Sequence, residues 1–233
     1  MSHPPRRPEE GAAPPEGTAL SSRERIRPAA SAFLAGATSR LLPASIPFRF
    51  FGAAVVYHAL AWLALLAGSD TVPTFAGGLG WPLAALHLVT LGVLVMTALG
   101  ASLQLLPVAT RQPVHWQRAP AAVWWLFTPG VAATTLGMGI PAPSLLVGGA
   151  LLVAVALVIY AVLLARNLIG ARGMPVVVAH GWVALCSLAV VVVTALSLAG
   201  AYMGVPGLAR STALALHVAF AGYGFMGMLA LGL

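Results

Sequence analysis

Six long runs of apolar residues dominate the chain, separated by short stretches rich in Gly, Pro and polar residues. They cover residues 46–67, 83–107, 121–140, 145–166, 175–200 and 211–233. At about 1.5 Å per residue, a helix of each length crosses a hydrocarbon core of about 30 Å. Lipid offers the backbone no hydrogen-bond partners. Each run must therefore pair its backbone N–H and C=O groups within its own helix. The pattern predicts an all-α, polytopic membrane helix bundle with six transmembrane helices.

The first 43 residues follow a different pattern. They are rich in Pro, Arg, Glu and Ala, as in PPRRPEEGAAPPEGTALSSRERIRP, and they lack the apolar content to build a core. We therefore predict a disordered tail over residues 1–43 and a transmembrane domain over residues 44–233. The last apolar run reaches Leu233 without a polar flank, so we expect the chain to be truncated in its sixth helix relative to a longer protein.

The composition agrees with a membrane protein. The chain is 60% hydrophobic and 7% charged, whereas about a quarter of the residues in a soluble domain are charged. Its net charge of +7 comes from arginines in the tail and in the segments that flank the helices. This distribution indicates topology and contact with the lipid bilayer, and no nucleic-acid partner is expected. All twelve basic residues are arginine, which favours a GC-rich bacterial source.

The arginines also predict an orientation. Eleven of the twelve lie before or at the start of the first run, between the second and third runs, or between the fourth and fifth; Arg210 alone lies on the other side. By the positive-inside rule the arginine-rich side is cytoplasmic, and so is the N-terminal tail. We therefore expect a multi-pass protein of the bacterial inner membrane.

Two histidines open apolar runs in the same local pattern. His87 and His217 are each followed by glycine five residues later and by methionine nine residues later. In the predicted topology both lie about one turn below the outer face of the membrane. An imidazole at that depth needs a partner, and imidazole is a common ligand of haem iron and copper. The repeat favours a site built from His87 and His217, with His58, near the middle of the first run, as a further candidate ligand.

The apolar runs lack the residues that other kinds of chemistry require. The five acidic residues all lie outside them, and Cys186 is the single cysteine. Paired carboxylates and phosphate-binding loops are therefore missing from the predicted membrane domain. Redox or ligand chemistry on a bound cofactor requires neither of them.

The stretch HLVTLGVLVMTALGASLQLLP, which begins at His87, resembles helix 2 of the haem-copper oxidase subunit I superfamily, most strongly its nitric-oxide-reductase-like and NnrS-like members. The resemblance implies that His87 is an axial ligand of a haem b and that His217 matches the helix-6 histidine that ligates copper or a non-haem metal. It also implies an electron-donor protein or a quinol as partner. The family's histidine-to-tyrosine spacing of four is not met, because Tyr223 follows His217 by six residues.

Two hypotheses follow from the sequence. The first is a haem- and/or copper-binding membrane protein of haem-copper oxidase subunit I type, with a redox function related to nitric oxide or oxygen; whether it is an oxidoreductase stays open. The second is a permease or membrane scaffold in which the histidines only bridge helices.

Overall fold

The computed structural model describes Gly36, residues 41–113, Trp116 and residues 118–232. The predicted disordered tail lies outside the described residues, apart from Gly36 and residues 41–43. Of these, Leu42 is buried, and the side-chain amide of Gln104 donates a hydrogen bond to its carbonyl at 3.4 Å. The end of the tail therefore packs with the membrane helices.

The described residues form helices and no strands, and six of the helices are long and apolar enough to span a membrane. We number them α1 (Ser45–Ala67), α2 (Trp81–Ala109), α3 (Ala119–Gly139), α4 (Pro143–Ile169), α5 (Pro175–Ala201) and α6 (Arg210–Gly232). Each end lies within three residues of the predicted one, so the prediction of a six-helix, multi-pass membrane protein is confirmed.

Proline marks where four of these helices begin. Pro82, Pro120, Pro143 and Pro175 each stand in the first turn of α2, α3, α4 and α5. The first turn suits proline because its backbone N–H would have no partner inside the helix. Large apolar side chains cover the outside of the bundle; Val55 is 72% exposed and Ile169 is 74% exposed. Such a surface requires a lipid environment.

Glycines allow α3 and α4 to pack closely. A Cβ added to Gly149 on α4 would collide with the backbone nitrogen of Thr134 on α3, and one added to Gly137 with the backbone nitrogen of Leu146. In lipid, where helix association depends on close contact, small residues at an interface let two backbones approach. Because three residues connect the two helices, they form a tight antiparallel pair.

Helix α1 packs on α2 in the same way. A Cβ on Gly92 would lie 2.6 Å from the Tyr57 Cβ, and one on Gly100 would lie 2.8 Å from the Phe50 Cβ. The Tyr57 hydroxyl donates a hydrogen bond to the Thr128 carbonyl of α3. These contacts join α1 to both α2 and α3.

Polar contacts fix the end of the bundle that contains the α2–α3 and α4–α5 connections, which we call the arginine-rich end. The Thr110 hydroxyl donates to the Asn167 side-chain oxygen at 2.7 Å, and the Arg172 backbone N–H donates to the Thr110 carbonyl at 2.9 Å. The Arg166 guanidinium lies 4.3 Å from the centre of the Trp116 ring. These contacts connect the ends of α2 and α4 there.

The orientation of the bundle is a prediction that cysteine labelling tests. In a Cys186→Ala background, a membrane-impermeant maleimide added to intact cells is expected to label Asp70→Cys, at the end opposite the arginines. It is expected to miss Arg172→Cys until the membrane is permeabilised. Both positions are exposed, so accessibility in the fold does not bias the comparison. Labelling of Arg172→Cys alone would reverse the topology.

Candidate functional site

A cavity of about 400 Å³ lies between α2, α3, α4, α5 and α6, in the half of the bundle away from the arginine-rich end. His87 of α2 and His217 of α6 both line it, and most of the remaining wall is aliphatic. The structure therefore brings together the two histidines that the sequence repeat singled out.

The two histidines also share a depth in the bundle. His87 is six residues from the start of α2 and His217 is seven residues from the start of α6. At about 1.5 Å per residue, each ring lies about 10 Å from the end of its helix. Both helices start at the same end of the bundle, so the imidazoles face one cavity from one level.

The His87 ring is held in a defined tautomer. Its Nδ1 lies 3.0 Å from the carbonyl oxygen of Leu83, one turn earlier in α2. A carbonyl oxygen can only accept a hydrogen bond, so Nδ1 carries the hydrogen and donates it. The lone pair of Nε2 is then left for a ligand, in the arrangement that backbone carbonyls impose on metal-binding histidines.

A residue of the neighbouring helix α5 fixes the same tautomer in the His217 ring. Its Nδ1 lies 3.4 Å from the Thr194 hydroxyl oxygen on α5. That hydroxyl donates its own hydrogen to the Val190 carbonyl at 2.8 Å, so its oxygen accepts from Nδ1. With Nδ1 as the donor, Nε2 of His217 also keeps its lone pair, and the Thr194 hydroxyl and the Val191 carbonyl of α5 both contact the ring.

Both histidine helices widen into a π-helix within one turn after the histidine. The π-helical segments are Leu88–Val95 in α2 and Phe220–Gly227 in α6. A π-helix is rare and is found mostly as a single turn at functional sites. The segment in α2 packs on α1 through Gly92, whereas that in α6 packs on α5 through Gly224, whose added Cβ would lie 2.7 Å from the Ser187 Cβ. The cavity occupies the space between the two segments.

Two glycines of the repeat have different surroundings. Gly92 is covered by Tyr57, but a Cβ added to Gly222 would meet nothing within 4 Å, and Gly222 lines the cavity. The sequence repeat gave no sign of this difference. Gly222 is also exposed, so the space beside it is open.

The sequence analysis did not single out four polar residues of the cavity as site residues: Thr90, Thr134, Tyr202 and Arg210. The Thr134 hydroxyl is buried and has no hydrogen-bond partner among the described residues, although Thr134 lines the cavity. Tyr202 and Arg210 line it as well. The signal that could have found Arg210 was its position, as the one arginine on its side of the predicted membrane. The Thr134 hydroxyl faces Gly149 of α4, where an added Cβ would lie 2.6 Å from its oxygen, so it belongs to the α3–α4 interface.

The structure places the other histidines away from this cavity. His58 lies on the exposed face of α1, where its Nε2 accepts a hydrogen bond from the Trp62 indole at 3.0 Å. It is therefore not brought together with His87 and His217. His180 lies near the arginine-rich end of α5, with Nδ1 2.8 Å from the Val176 carbonyl. His3 and His115 lie outside the described residues.

The donor set of the cavity distinguishes between metals. Within the described part of the chain, no group of three or more His, Cys, Asp or Glu side chains could hold a metal ion. A copper ion bound by protein ligands alone usually needs such a group. A haem brings its own ring nitrogens and needs only one or two axial ligands from the protein. The two imidazoles of this cavity therefore suit a haem.

Comparison of the chain with protein-family models, with curated proteins and with solved structures finds no match. The similarity to haem-copper oxidase subunit I stays a prediction from the residues around His87 and His217. The function is therefore argued from the cavity itself.

Proposed function

We propose that the chain is a membrane haem protein in which His87 and His217 are the axial ligands of one b-type haem in the cavity between α2 and α6. One observation carries the proposal: both imidazoles line a single cavity at one depth, and each has its Nδ1 in a hydrogen bond. One cavity of this size favours a single macrocycle shared by the two histidines over a separate cofactor on each.

The shape and chemistry of the cavity support a haem. Its volume of about 400 Å³ is within the range of small-molecule and cofactor sites. The aliphatic walls would pack against an apolar ring, and the open space at Gly222 gives the ring room.

A bound haem supplies one-electron chemistry, and the chain supplies the position and surroundings of the iron. Leu83 and Thr194 orient the two rings, and the aliphatic side chains set a low dielectric around them. We infer a redox protein of the bacterial inner membrane that exchanges electrons with a quinol or an electron-donor protein. A reaction with nitric oxide or oxygen is the more specific form of this proposal.

One contact favours the alternative of a scaffold or permease. The hydrogen bond from His217 to Thr194 joins α6 to α5 without any cofactor. His87, however, bonds within its own helix, so it bridges nothing. Bridging between helices therefore explains His217 but not His87.

The experiment that tests the proposal is a cofactor analysis of the purified full chain. Cells supplied with a haem precursor and with copper should yield protein with about one haem b per chain, measured as the pyridine haemochrome, and with little copper by elemental analysis. His180→Ala is a matched control, because its Nδ1 also bonds the carbonyl one turn earlier while its ring lies outside the cavity. Wild-type protein with neither cofactor would leave the histidines as structural residues.

A further inference from the structure

An arginine stands at the mouth of the histidine cavity. Arg210 is the first residue of α6, about two turns from His217 on the same helix, and it lines the cavity together with Tyr202. It lies at the end of the bundle opposite the other described arginines of the helix connections. A positive charge is therefore set at the outer end of a mostly aliphatic cavity.

Tyr202 holds the Arg210 side chain in place. One terminal nitrogen of the guanidinium donates a hydrogen bond to the Tyr202 hydroxyl at 3.2 Å, and the guanidinium carbon lies 5.3 Å from the centre of the ring. Arginine has five N–H donors in a fixed plane, so this contact leaves several free. A cation–π contact also fixes the guanidinium at little cost to its charge.

Arg210 has no protein counter-ion in the described part of the chain. Asp70 is the one acidic residue there, and it forms no ion pair with Arg210. The backbone N–H groups at the start of α6 add partial positive charge at the same place. A planar guanidinium with free donors matches a carboxylate in two parallel hydrogen bonds.

We propose that Arg210, positioned by Tyr202, binds the carboxylate of an amphipathic ligand whose apolar body occupies the cavity. This inference rests on the proposed function, because haem, which carries two propionates, is the first ligand with this chemistry. A long-chain fatty acid from the membrane has the same chemistry. The shared feature is a carboxylate joined to a large apolar body, and it separates both ligands from their neutral esters.

Haem and haem dimethyl ester, which lacks the free carboxylates, provide the test. The full chain, purified in detergent after growth under haem limitation, is titrated with each compound and followed by absorbance. Palmitate and methyl palmitate form a second pair, followed by calorimetry. The wild type is expected to bind the acid of at least one pair about tenfold more tightly than the ester, as one charge-assisted pair at a partly exposed site would give.

Three variants identify the residue responsible. Arg210→Gln is expected to bind acid and ester about equally, and Tyr202→Phe to lose part of the preference. Arg172→Gln, which removes one charge at the arginine-rich end, is expected to keep it. Equal binding of acid and ester by the wild type, or an unchanged preference in Arg210→Gln, would overturn the inference.

The outcomes separate this inference from the proposed function. Haem uptake without discrimination against the ester leaves the haem protein standing and removes the role of Arg210. Discrimination between palmitate and its ester by a protein that takes up no haem removes the haem and keeps the carboxylate site. Failure of the wild type to bind either pair counts against both.

Discussion

The His87→Ala variant is expected to lose its haem. On the proposed function, the substitution removes a ligand of the haem iron whose ring is oriented by the Leu83 carbonyl. Loss of a group behind a metal ligand costs about 10- to 100-fold in affinity, so loss of the ligand itself should cost at least about 100-fold. The measurement is the reduced-minus-oxidised absorbance of purified protein at matched chain concentration. His180→Ala and His58→Ala should keep the wild-type spectrum, since neither ring lines the cavity.

The two cavity histidines should not behave identically. His217 is oriented by a side chain of another helix, and its hydrogen bond is longer than that of His87, at 3.4 Å against 3.0 Å. His217→Ala should therefore retain more haem than His87→Ala, with one axial position open. Thr194→Val, which keeps the shape and removes the acceptor, should weaken haem binding by about tenfold. A His87→Ala protein with a full, unshifted haem spectrum would remove His87 from the site.

Glycine substitutions should separate stability from ligand binding. Gly149→Ala places a methyl group against the backbone of Thr134, where neither helix can give way without opening the α3–α4 interface. Overpacking in a core costs about 1–3 kcal/mol, while replacing glycine in a helix returns about 1 kcal/mol at most. A net loss of stability is expected, and it should appear as a lower unfolding temperature in detergent.

The adjacent residue is the control. An added Cβ at Gly148 meets nothing within 4 Å, so Gly148→Ala should be neutral or slightly stabilising. Gly222→Leu should show the opposite behaviour to Gly149→Ala, because an added Cβ meets nothing within 4 Å and Gly222 lines the cavity, so that a larger side chain is expected to reduce the space for a haem. The protein should fold with its normal unfolding temperature in the ligand-free state and bind little haem. Normal haem content in Gly222→Leu would show that the ligand lies elsewhere.

The sequence was a good guide to the helices because membrane spans depend on local properties. Each run of apolar residues is long enough by itself, and proline in the first turn marks the start of helices such as α4 and α5. The sequence also predicted the pairing of His87 with His217. A pattern repeated on two helices that run in the same direction places both histidines at the same depth. Both features depend on spacing along the chain.

Features that depend on packing could not be predicted from the sequence. Helix α1 is apolar around its whole circumference, so the sequence could not show that Tyr57 turns inward while His58 lies on the exposed face. The π-helical segments were likewise hidden, because they form where Gly92 and Gly224 pack against neighbouring helices. The unpaired hydroxyl of Thr134 became visible only once its neighbours were placed.

The most direct test of the shared haem is the low-temperature electron paramagnetic resonance spectrum of the oxidised full chain. Two imidazole ligands on one ferric haem should give a low-spin signal, and His217→Ala should convert it to a high-spin signal. His180→Ala should leave it unchanged. A wild-type protein with only high-spin haem, or with none, would contradict the assignment of His87 and His217 to one iron.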